Sequence, residues 1–359
     1  MAGKEAAMKR AIKLPIAFVL GLGLTFALLW LLSSPSPTLP AAHAAELHVC
    51  SSGCSYSSIQ AAVDAASDGD IIKVATGVYT DLSVRPRNDV TTTGVVTQIV
   101  YVTRTVTIQG GYTTTNWTTP YPVTQPTTLD AQGHGRVLYI TGNISPTIQG
   151  LRITGGNAAA GSEWDSDRGS GVYIISSTTA LYSNSIFSNA YALFGSGLYL
   201  HSSVSVLNHN FIYSNTARMG GGAYLYNSTV TGTDSRVYSN TADQGGGLHL
   251  DNSVATLNRN TIASNSAGDG GGVYLWQSDA TLDNNTIISN IATVYDGGGV
   301  DVTDSTATLI GNVIMSNTAS EDGGGVYLVN GHSFLVQYPA TFINNIIVAN
   351  HAYRGGGIS

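Results

Sequence analysis

Aspartate side chains recur in this 359-residue chain at intervals that could place carboxylates side by side. Asp269, Asp296 and Asp322 each precede a run of three glycines, in three successive copies of one repeated phrase. Carboxylates stacked one copy apart could share a hard cation such as calcium, which binds oxygen ligands. A solvated turn is the alternative that we favour, because Asp is common beside Gly in turns. We therefore assign no metal ligand and no cofactor, and calcium is the only cofactor left open.

Aromatic side chains follow the same interval, on what strand alternation would make an outer face. The position after the first apolar residue of each copy is held in turn by Tyr173, Tyr199, Tyr224, His249, Tyr274, Asp301 and Tyr327. Exposed rings at this spacing could stack on a polysaccharide or a cell-surface glycan, so the five tyrosines are the candidate carbohydrate-binding residues. The rings could equally stack on one another and stabilise a sheet, which is the interpretation we favour. No residue is assigned a catalytic role.

These positions belong to a repeat that must set their geometry. The triplet Gly-Gly-Gly, or its Gly-Ser-Gly form, begins at Gly169, Gly195, Gly220, Gly245, Gly270, Gly297, Gly323 and Gly355. Neighbouring triplets are 25 to 27 residues apart, except that the last two are 32 apart. A fixed period of this size predicts a solenoid, in which each unit contacts mainly its neighbours.

Apolar and polar residues alternate in short segments within every copy, which is typical of strands with one buried face. No segment of the repeat has a sustained helical period. One copy cannot bury its own apolar face, but stacked copies can. The sequence therefore predicts an all-β protein: a right-handed parallel β-helix with about three strands per coil, stacked about 4.8 Å apart.

Two rows of asparagine mark the turns between these strands. The first row is Asn189, Asn215, Asn240, Asn265, Asn290, Asn317 and Asn350. The second row is Asn184, Asn210, Asn260, Asn285, Asn312 and Asn345, and it is interrupted only by Ser235. Asparagine can adopt turn angles that other residues resist, and stacked carboxamides can hydrogen-bond along the stack. Both rows are therefore interpreted as structural.

Residues 45–168, which precede the regular copies, are less regular. Ser58–Ser67 has the apolar spacing of a short amphipathic helix that could cover the open end of the solenoid, with Ser57 or Ser58 as its N-cap. Asp70–Tyr79 reads as the first strand and turn. We expect one continuous domain, with this cap and irregular coils in 45–168 and regular coils in 169–359.

Residues 1–44 have the pattern of a targeting segment. A basic start precedes the uncharged apolar run Leu14–Leu32, and Ala42-His43-Ala44 fits a small-x-small cleavage site. We favour a signal peptide cleaved after Ala44, and a retained signal anchor is the alternative. Either way the remaining chain is expected to be secreted or at the cell surface, with a membrane contact only through an uncleaved leader.

The charge balance limits the partners of the chain. Cleavage would leave 11 basic and 21 acidic residues, a net charge of −10, against −7 for the whole sequence. Such a chain has no basic footprint for nucleic acid. Cys50 and Cys54 are its only cysteines, and in an exported chain such a pair suggests a disulfide; a metal site is the alternative. The sequence does not indicate the oligomeric state.

Several phrases resemble a known family. Ser58-Ile-Gln-Ala-Ala-Val-Asp64, followed by Gly69-Asp-Ile-Ile-Lys-Val-Ala-Thr-Gly-Val-Tyr79, resembles the opening of pectin-lyase-like right-handed β-helix proteins. The Gly-Gly-Gly-Val-Tyr-Leu and Asn-x-Ile-x-Ser-Asn phrases resemble repeats of exported bacterial surface proteins, including the polymorphic outer membrane protein repeat. Cys50-Ser-Ser-Gly-Cys54 before that opening resembles large exported β-helix proteins with a separate C-terminal anchor. Because the chain stops inside a coil, we expect a truncated product.

The resemblance implies a fold that adhesins, lyases and hydrolases share, so the fold alone does not distinguish an enzyme from a non-catalytic protein. Hydrolases similar to polygalacturonase carry Asn-Thr-Asp, an Asp-Asp pair, Gly-His-Gly and Arg-x-Lys, in that order. Only Gly133-His134-Gly135 matches here, and we interpret it as a turn. A uronate lyase needs gathered basic residues, whereas those after residue 169 are scattered: Arg218, Arg236, Arg259 and Arg354. We therefore predict a non-catalytic structural, adhesive or glycan-contacting surface protein.

The alternative is a polysaccharide lyase or glycoside hydrolase. Its site would lie on the outer parallel sheet or near the irregular coils of 81–168. The densest charges of the mature chain are there, namely Arg104, Arg136, Arg152, Glu163, Asp165, Asp167 and Arg168.

Overall fold

The computed structural model describes residues 44–87, 94–161, 167–330 and 338–359. Within it, Ala45–Ser359 forms one compact unit. The expected leader up to residue 43, and the charged residues Glu163 and Asp165, lie outside the described residues. In the part of the chain that is described, no helix is long and apolar enough to cross a membrane.

Three long sheets, here named A, B and C, carry almost all of the structure. Sheet A contains Glu46–Val49, Ile71–Ala75, Thr107–Tyr112, Thr147–Gln149, Thr178–Tyr182, Val204–Asn208, Thr229–Thr233, Val254–Asn258, Asp279–Asp283, Thr306–Ile310 and Ala340–Ile343. Sheet B contains Gly77–Tyr79, Thr127–Asp130, Leu151–Thr154, Ser185–Phe187, Phe211–Tyr213, Arg236–Tyr238, Thr261–Ala263, Thr286–Ile288, Val313–Met315 and Ile346–Val348. Sheet C contains Ser83–Pro86, Val95–Val102, Arg136–Thr141, Val172–Ile175, Leu198–His201, Ala223–Tyr226, Leu248–Asp251, Val273–Trp276, Val300–Thr303 and Val326–Val329.

Each coil contributes one strand to each sheet, in the order C, A, B. Neighbouring strands within the sheets are parallel, except that Ser83–Pro86 pairs antiparallel with Val95–Val102. With ten or eleven strands per sheet, the chain forms a parallel β-helix of about ten turns, as the period predicted. Two small sheets lie in the connections after sheet B: Ala192–Phe194 with Ala217–Met219, and Ser266–Ala267 with Ile291–Ala292 and Thr318–Ala319.

The predicted alternation places aliphatic rows of each sheet inside the coil. In sheet C the first inner row is Val172, Leu198, Ala223, Leu248, Val273, Val300 and Val326. Every member of this row is buried. Burying the same position in successive coils removes apolar surface that a single coil would expose, at about 25 cal/mol per Å².

The two asparagine rows lie inside the corners and form the predicted ladders. Asn240 Nδ2 donates to Asn265 Oδ1 at 3.0 Å, and the same pattern links every pair of neighbours in the first row. The left-handed backbone angles belong to the residue before each asparagine, for example Ser239 at φ 54°, and not to the asparagine itself. The asparagine thus keeps an ordinary backbone while its side chain points inward to the ladder.

The last glycine of the triplet is needed for close packing between coils. A Cβ on Gly247 would lie 2.5 Å from the carbonyl oxygen of Gly272 in the next coil. The first glycine has another role: Gly245 adopts φ 62°, in the left-handed region that glycine tolerates best. The triplet therefore turns the chain back tightly over the following strand.

The predicted helix is present over Ile59–Ala65, and the Ser58 side chain accepts a hydrogen bond from the Ala61 N–H at 3.2 Å, as an N-cap does. Its covering role at the solenoid end stays a prediction. The first strand is Glu46–Val49, before the helix, so the expectation that Asp70–Tyr79 opens the sheet is wrong. Immediately after that strand, Cys50 and Cys54 form a disulfide, with Cα atoms 5.6 Å apart.

Candidate functional site

The five candidate tyrosines lie on the outer face of sheet C, but four of them are buried. Tyr173, Tyr199, Tyr224 and Tyr274 are 1 to 5% exposed, and Tyr327 is partly buried. Three of the rings stack in the register of the coils: Tyr173 to Tyr199 at 5.1 Å and Tyr199 to Tyr224 at 5.7 Å between centroids. The self-stacking ladder is therefore present over these three rings, and Tyr173, Tyr199, Tyr224 and Tyr274 are not the exposed rings that carbohydrate stacking would need.

The tyrosines are buried because the connections after sheet B fold over the outer face of sheet C. Phe194 packs edge-on against Tyr224 at 5.0 Å, and Met219 also contacts this cluster. The guanidinium of Arg168 lies 5.8 Å from the Tyr199 ring. Tyr199 and Tyr224 thus lie beneath a second packed layer.

His249 and Asp301 replace tyrosine in the stack, and both are buried. Burial lowers the pKa of His249 to about 3, so its imidazole is neutral. Asp301 is 1% exposed, and the Thr303 hydroxyl donates to its Oδ1 at 2.7 Å. Burial and the neighbouring Asp269 carboxyl hold the pKa of Asp301 well above its usual range, and burial also raises the pKa of Asp269.

The three aspartates of the predicted acidic row are partly buried, and the first two hydrogen-bond to the backbone of the next coil. Asp269 Oδ1 accepts a hydrogen bond from the Asp296 N–H at 3.3 Å, and Asp296 Oδ1 accepts one from the Asp322 N–H at 2.8 Å. Asp322 lies 3.0 Å from the Nε of Arg354. Among the residues in 44–87, 94–161, 167–330 and 338–359, no three or more potential ligands are arranged to hold a metal ion.

Among the remaining charged candidates that the structure describes, Arg136 and Arg168 are in contact, whereas Arg104 and Arg152 lie elsewhere. Arg104 lies near the helix, with Nη2 3.5 Å from the Asp64 carbonyl oxygen. The Nε of Arg136, on sheet C, donates to the Arg168 carbonyl at 2.8 Å, whereas Arg152 projects from sheet B. His134 is exposed in a turn, closed by its own N–H donating to the Ala131 carbonyl at 2.9 Å, so the turn interpretation of Gly-His-Gly is confirmed.

A second aromatic stack lies on the outer face of sheet B and was missed. Phe187, Tyr213 and Tyr238 are in register, with centroids 5.0 and 4.9 Å apart and interplanar angles of 5°. All three rings are partly exposed. Each stands two residues before an asparagine of the first row, and this aromatic run in three successive copies was the sequence signal that could have revealed it.

Two arginines accompany this stack. The guanidinium carbon of Arg152 lies 4.8 Å from the Phe187 centroid, and that of Arg236 lies 5.9 Å from the centroid of Phe211, which is 40% exposed. Arg152, Ser185, Phe211 and Arg236 occupy one row of the sheet. The surface formed by Arg152, Phe187, Phe211, Tyr213, Arg236 and Tyr238 is called the sheet-B patch below.

The family model for the right-handed beta helix region matches residues 136–314 and 219–359. None of the curated proteins matches significantly. Among solved structures, pectate lyase Pel9A is similar at 12% identity and a TM-score of 0.47, over 89% of this chain and 82% of that one.

Two pectin methylesterases are also similar. The enzyme from Aspergillus niger, in deglycosylated form, has 14% identity and a TM-score of 0.35 over 85% of this chain and 86% of its own. The rice weevil enzyme has 12% identity and a TM-score of 0.33, over 89% and 93%.

Proposed function

We propose, from the premise that this chain belongs to the right-handed β-helix family, that it is an exported, non-catalytic surface protein that contacts glycans. Export rests on the leader pattern of residues 1–44, with its basic start, apolar run and Ala-His-Ala site. The glycan-contacting role rests on the surface chemistry of the solenoid.

The main support is how the polar residues of the repeat are used. The carboxamides of the two asparagine rows bond to one another and to backbone carbonyls inside the corners. The tyrosines on sheet C stack beneath a second layer, and the acidic row accepts backbone N–H groups. The repeated polar side chains therefore favour a scaffold role, which leaves the outer faces for contact with partners.

The sheet-B patch is the outer surface that suits a sugar polymer. Tyrosine rings combine an apolar body with a polar tip, and both occur on the hydroxylated, partly apolar surface of a sugar. Neighbouring strands of sheet B are about 4.8 Å apart, so the side chains of the patch are regularly spaced along the solenoid. This regular spacing suits an extended chain better than a compact ligand.

A polysaccharide lyase or glycoside hydrolase is the second candidate, because Asp269 and Asp301 form a carboxyl pair. Two carboxyl groups of raised pKa could supply an acid and a base. Against it, Asp301 is 1% exposed beneath the turn at Gly297, so a substrate could reach it only if that turn moved.

Binding and turnover measured on the same panel of polysaccharides test the proposal. We expect the full-length chain to bind at least one polysaccharide without releasing reducing ends or unsaturated uronates. Release of either product would overturn the non-catalytic role. If Asp301→Asn abolished that release while Asp279→Asn, a matched exposed aspartate, did not, the carboxyl pair would be assigned to catalysis.

A further inference from the structure

We infer that the sheet-B patch binds an anionic glycan, a saccharide chain that carries carboxylate or sulfate groups, laid along the solenoid axis. The inference rests on the proposed function in one respect only, that the ligand is a glycan. It adds the location of the site, the charge of the ligand and its direction.

The charge of the ligand follows from two unpartnered cations. In the described residues, Arg259 pairs with Asp234 at 2.7 Å, and Arg354 pairs with Asp322 at 3.0 Å. Arg152 and Arg236, in contrast, have ring contacts and no carboxylate partner within the same described part of the chain. A guanidinium without an acidic neighbour can bind a carboxylate or sulfate through paired hydrogen bonds.

The outward positions around these arginines hold no carboxylate, although the chain is acidic overall. From Leu151 to Ala263, the outward positions of sheet B hold Arg152, Thr154, Ser185, Phe187, Phe211, Tyr213, Arg236, Tyr238, Thr261 and Ala263. None of these positions is acidic. Asp130, the register partner of Thr154 on the preceding strand, is the acidic residue that borders this set, and it accepts a hydrogen bond from the Gln132 N–H at 2.9 Å. Asp234 is paired with Arg259.

The direction of the ligand follows from the register. Arg152 and Arg236 occupy the same row three rungs apart, which corresponds to about 14 Å along the axis. Ser185 and Phe211 lie between them in that row. A saccharide chain that contacts both guanidinium groups therefore runs across the successive strands of sheet B and passes over the exposed ring of Phe211.

The aromatic stack offers one ring end for sugar stacking. Its rings are nearly parallel at 5°, so the inner faces cover one another and mainly ring edges and hydroxyls face solvent. Arg152 covers the first end, at Phe187. At the other end the register partner of Tyr238 is Ala263, so the far face of the Tyr238 ring meets no other ring and can pack on a sugar.

The test measures binding of three polymers of matched length to the full-length chain: polygalacturonate, dextran sulfate and neutral dextran. We expect at least one anionic polymer to bind more tightly than neutral dextran, with affinity falling as salt rises. The comparison of polygalacturonate with dextran sulfate distinguishes a carboxylate from a sulfate ligand. We expect Arg152→Gln with Arg236→Gln to weaken that binding at least tenfold.

Matched controls keep the charge and ring changes equal. Arg218→Gln with Arg354→Gln removes the same charge away from the patch, because these arginines lie beside Asp243 and Asp322, and we expect a change of less than threefold. Tyr238→Ala should weaken binding at least fivefold, whereas Tyr295→Ala, an exposed ring elsewhere, should not. Melting temperatures within a few degrees of the parent chain would establish that the variants are folded.

Three outcomes would overturn the inference: neutral dextran binding as tightly as the anionic polymers, the patch variants binding like the controls, or polyglutamate displacing the glycan at equal charge. In the second case glycan binding persists, so the proposed function stands while this site fails. Turnover of the bound glycan would overturn the non-catalytic role, yet the loss of binding in the patch variants would still support the site.

Discussion

The carboxamide of Asn240 makes four hydrogen bonds inside the solenoid. Its Nδ2 donates to the Ile212 carbonyl at 2.9 Å and to Asn265 Oδ1 at 3.0 Å. Its Oδ1 accepts from the N–H and the Nδ2 of Asn215, at 3.1 and 3.0 Å. A buried polar side chain is stabilising only when it is paired in this way, and the repeat supplies the partner in each neighbouring coil.

Replacement of this residue should therefore be costly. Asn240→Ala would leave the Ile212 carbonyl and the amide groups of Asn215 without these partners in a buried corner. We expect a loss of about 3 kcal/mol or more in the free energy of unfolding. Asn208→Ala on the outer face of sheet A is the control and should cost less than about 1 kcal/mol by denaturant titration. Equal losses for the two variants would contradict the ladder.

The buried carboxyl of Asp301 predicts a pH dependence. A carboxyl whose pKa is raised on folding holds its proton more tightly in the folded state, so unfolding releases that proton above the unfolded pKa near 4. The contribution of Asp301 to stability is full in acid and is lost as the pH rises towards the raised folded value. The neighbouring carboxyl groups of Asp269 and Asp296 raise the pKa of Asp301 further. The charge of Asp301 in turn raises the pKa of Tyr274 and Tyr327.

We expect Asp301→Asn to melt near the parent temperature at pH 4 and above it at pH 8, because the amide carries no charge to bury. Asp279→Asn, an exposed aspartate, should leave the difference between the two pH values unchanged. Thermal melts of the three proteins across this range make the comparison. An Asp301→Asn curve that runs parallel to the parent curve would show that Asp301 does not titrate as the structure implies.

At the scale of the coil, one unit is less well packed than its neighbours. Gly232 stands where Leu207 and Leu257 stand in the adjacent coils, and Ser235 interrupts the second asparagine row. A cavity of about 30 Å³ lies there, lined mainly by apolar side chains and by these two residues. Asn210 loses one ladder bond at this point, since its N–H donates to the Ser235 hydroxyl while its Nδ2 bonds only the Leu181 carbonyl.

Filling this cavity should stabilise the solenoid. A Cβ on Gly232 would meet only the end of the Leu257 side chain, at 2.9 Å, and that methyl group can move. We expect Gly232→Ala to raise the free energy of unfolding by about 1 kcal/mol, from the filled space and the lower entropy of the unfolded chain. Gly247→Ala is the contrasting variant and should destabilise, because its Cβ would meet the Gly272 carbonyl oxygen at 2.5 Å. A loss of stability in Gly232→Ala would contradict the expected repacking.

The elements differ in how far the sequence could predict them. The period, the inner aliphatic rows and the ladders were predictable, because each depends on a residue type that recurs at one position. The burial of Tyr199 was not, since alternation separates two faces of a strand but does not reveal what lies over the outer one. Glu46–Val49 was missed because its partner strand, Ile71–Ala75, lies beyond the helix in the chain.

The candidate site was predictable in kind and not in place. Aromatic residues at coil spacing do form stacks, but the stack with exposed edges is on sheet B, and the predicted tyrosines belong to the covered stack on sheet C. The run of Phe187, Tyr213 and Tyr238 was visible in the sequence. Its pairing with Arg152 depends on a register that spans an irregular connection, which no local pattern reveals.

For the whole molecule, the solenoid separates two tasks. The asparagines and the aliphatic rows are buried inside the solenoid, and most of the sheet-C tyrosines are buried on its outer face under the connections. Each coil is stabilised mainly by the coils beside it. The outer face of sheet B carries the exposed aromatic edges and two arginines, Arg152 and Arg236, that have no acidic partner among the residues that the structure describes. An acidic chain can thus present a local cationic surface, which steers a ligand of opposite charge without changing the scaffold.

Oxidative footprinting of the aromatic side chains, with and without a bound anionic glycan, tests this division most directly. We predict that Phe211, Tyr213 and Tyr238 are oxidised in the free chain and protected in the complex, while Tyr173 and Tyr199 are unreactive in both, because they are 1 and 2% exposed. Oxidation of Tyr199 in the free chain, with protection by the glycan, would contradict the account and return the site to sheet C.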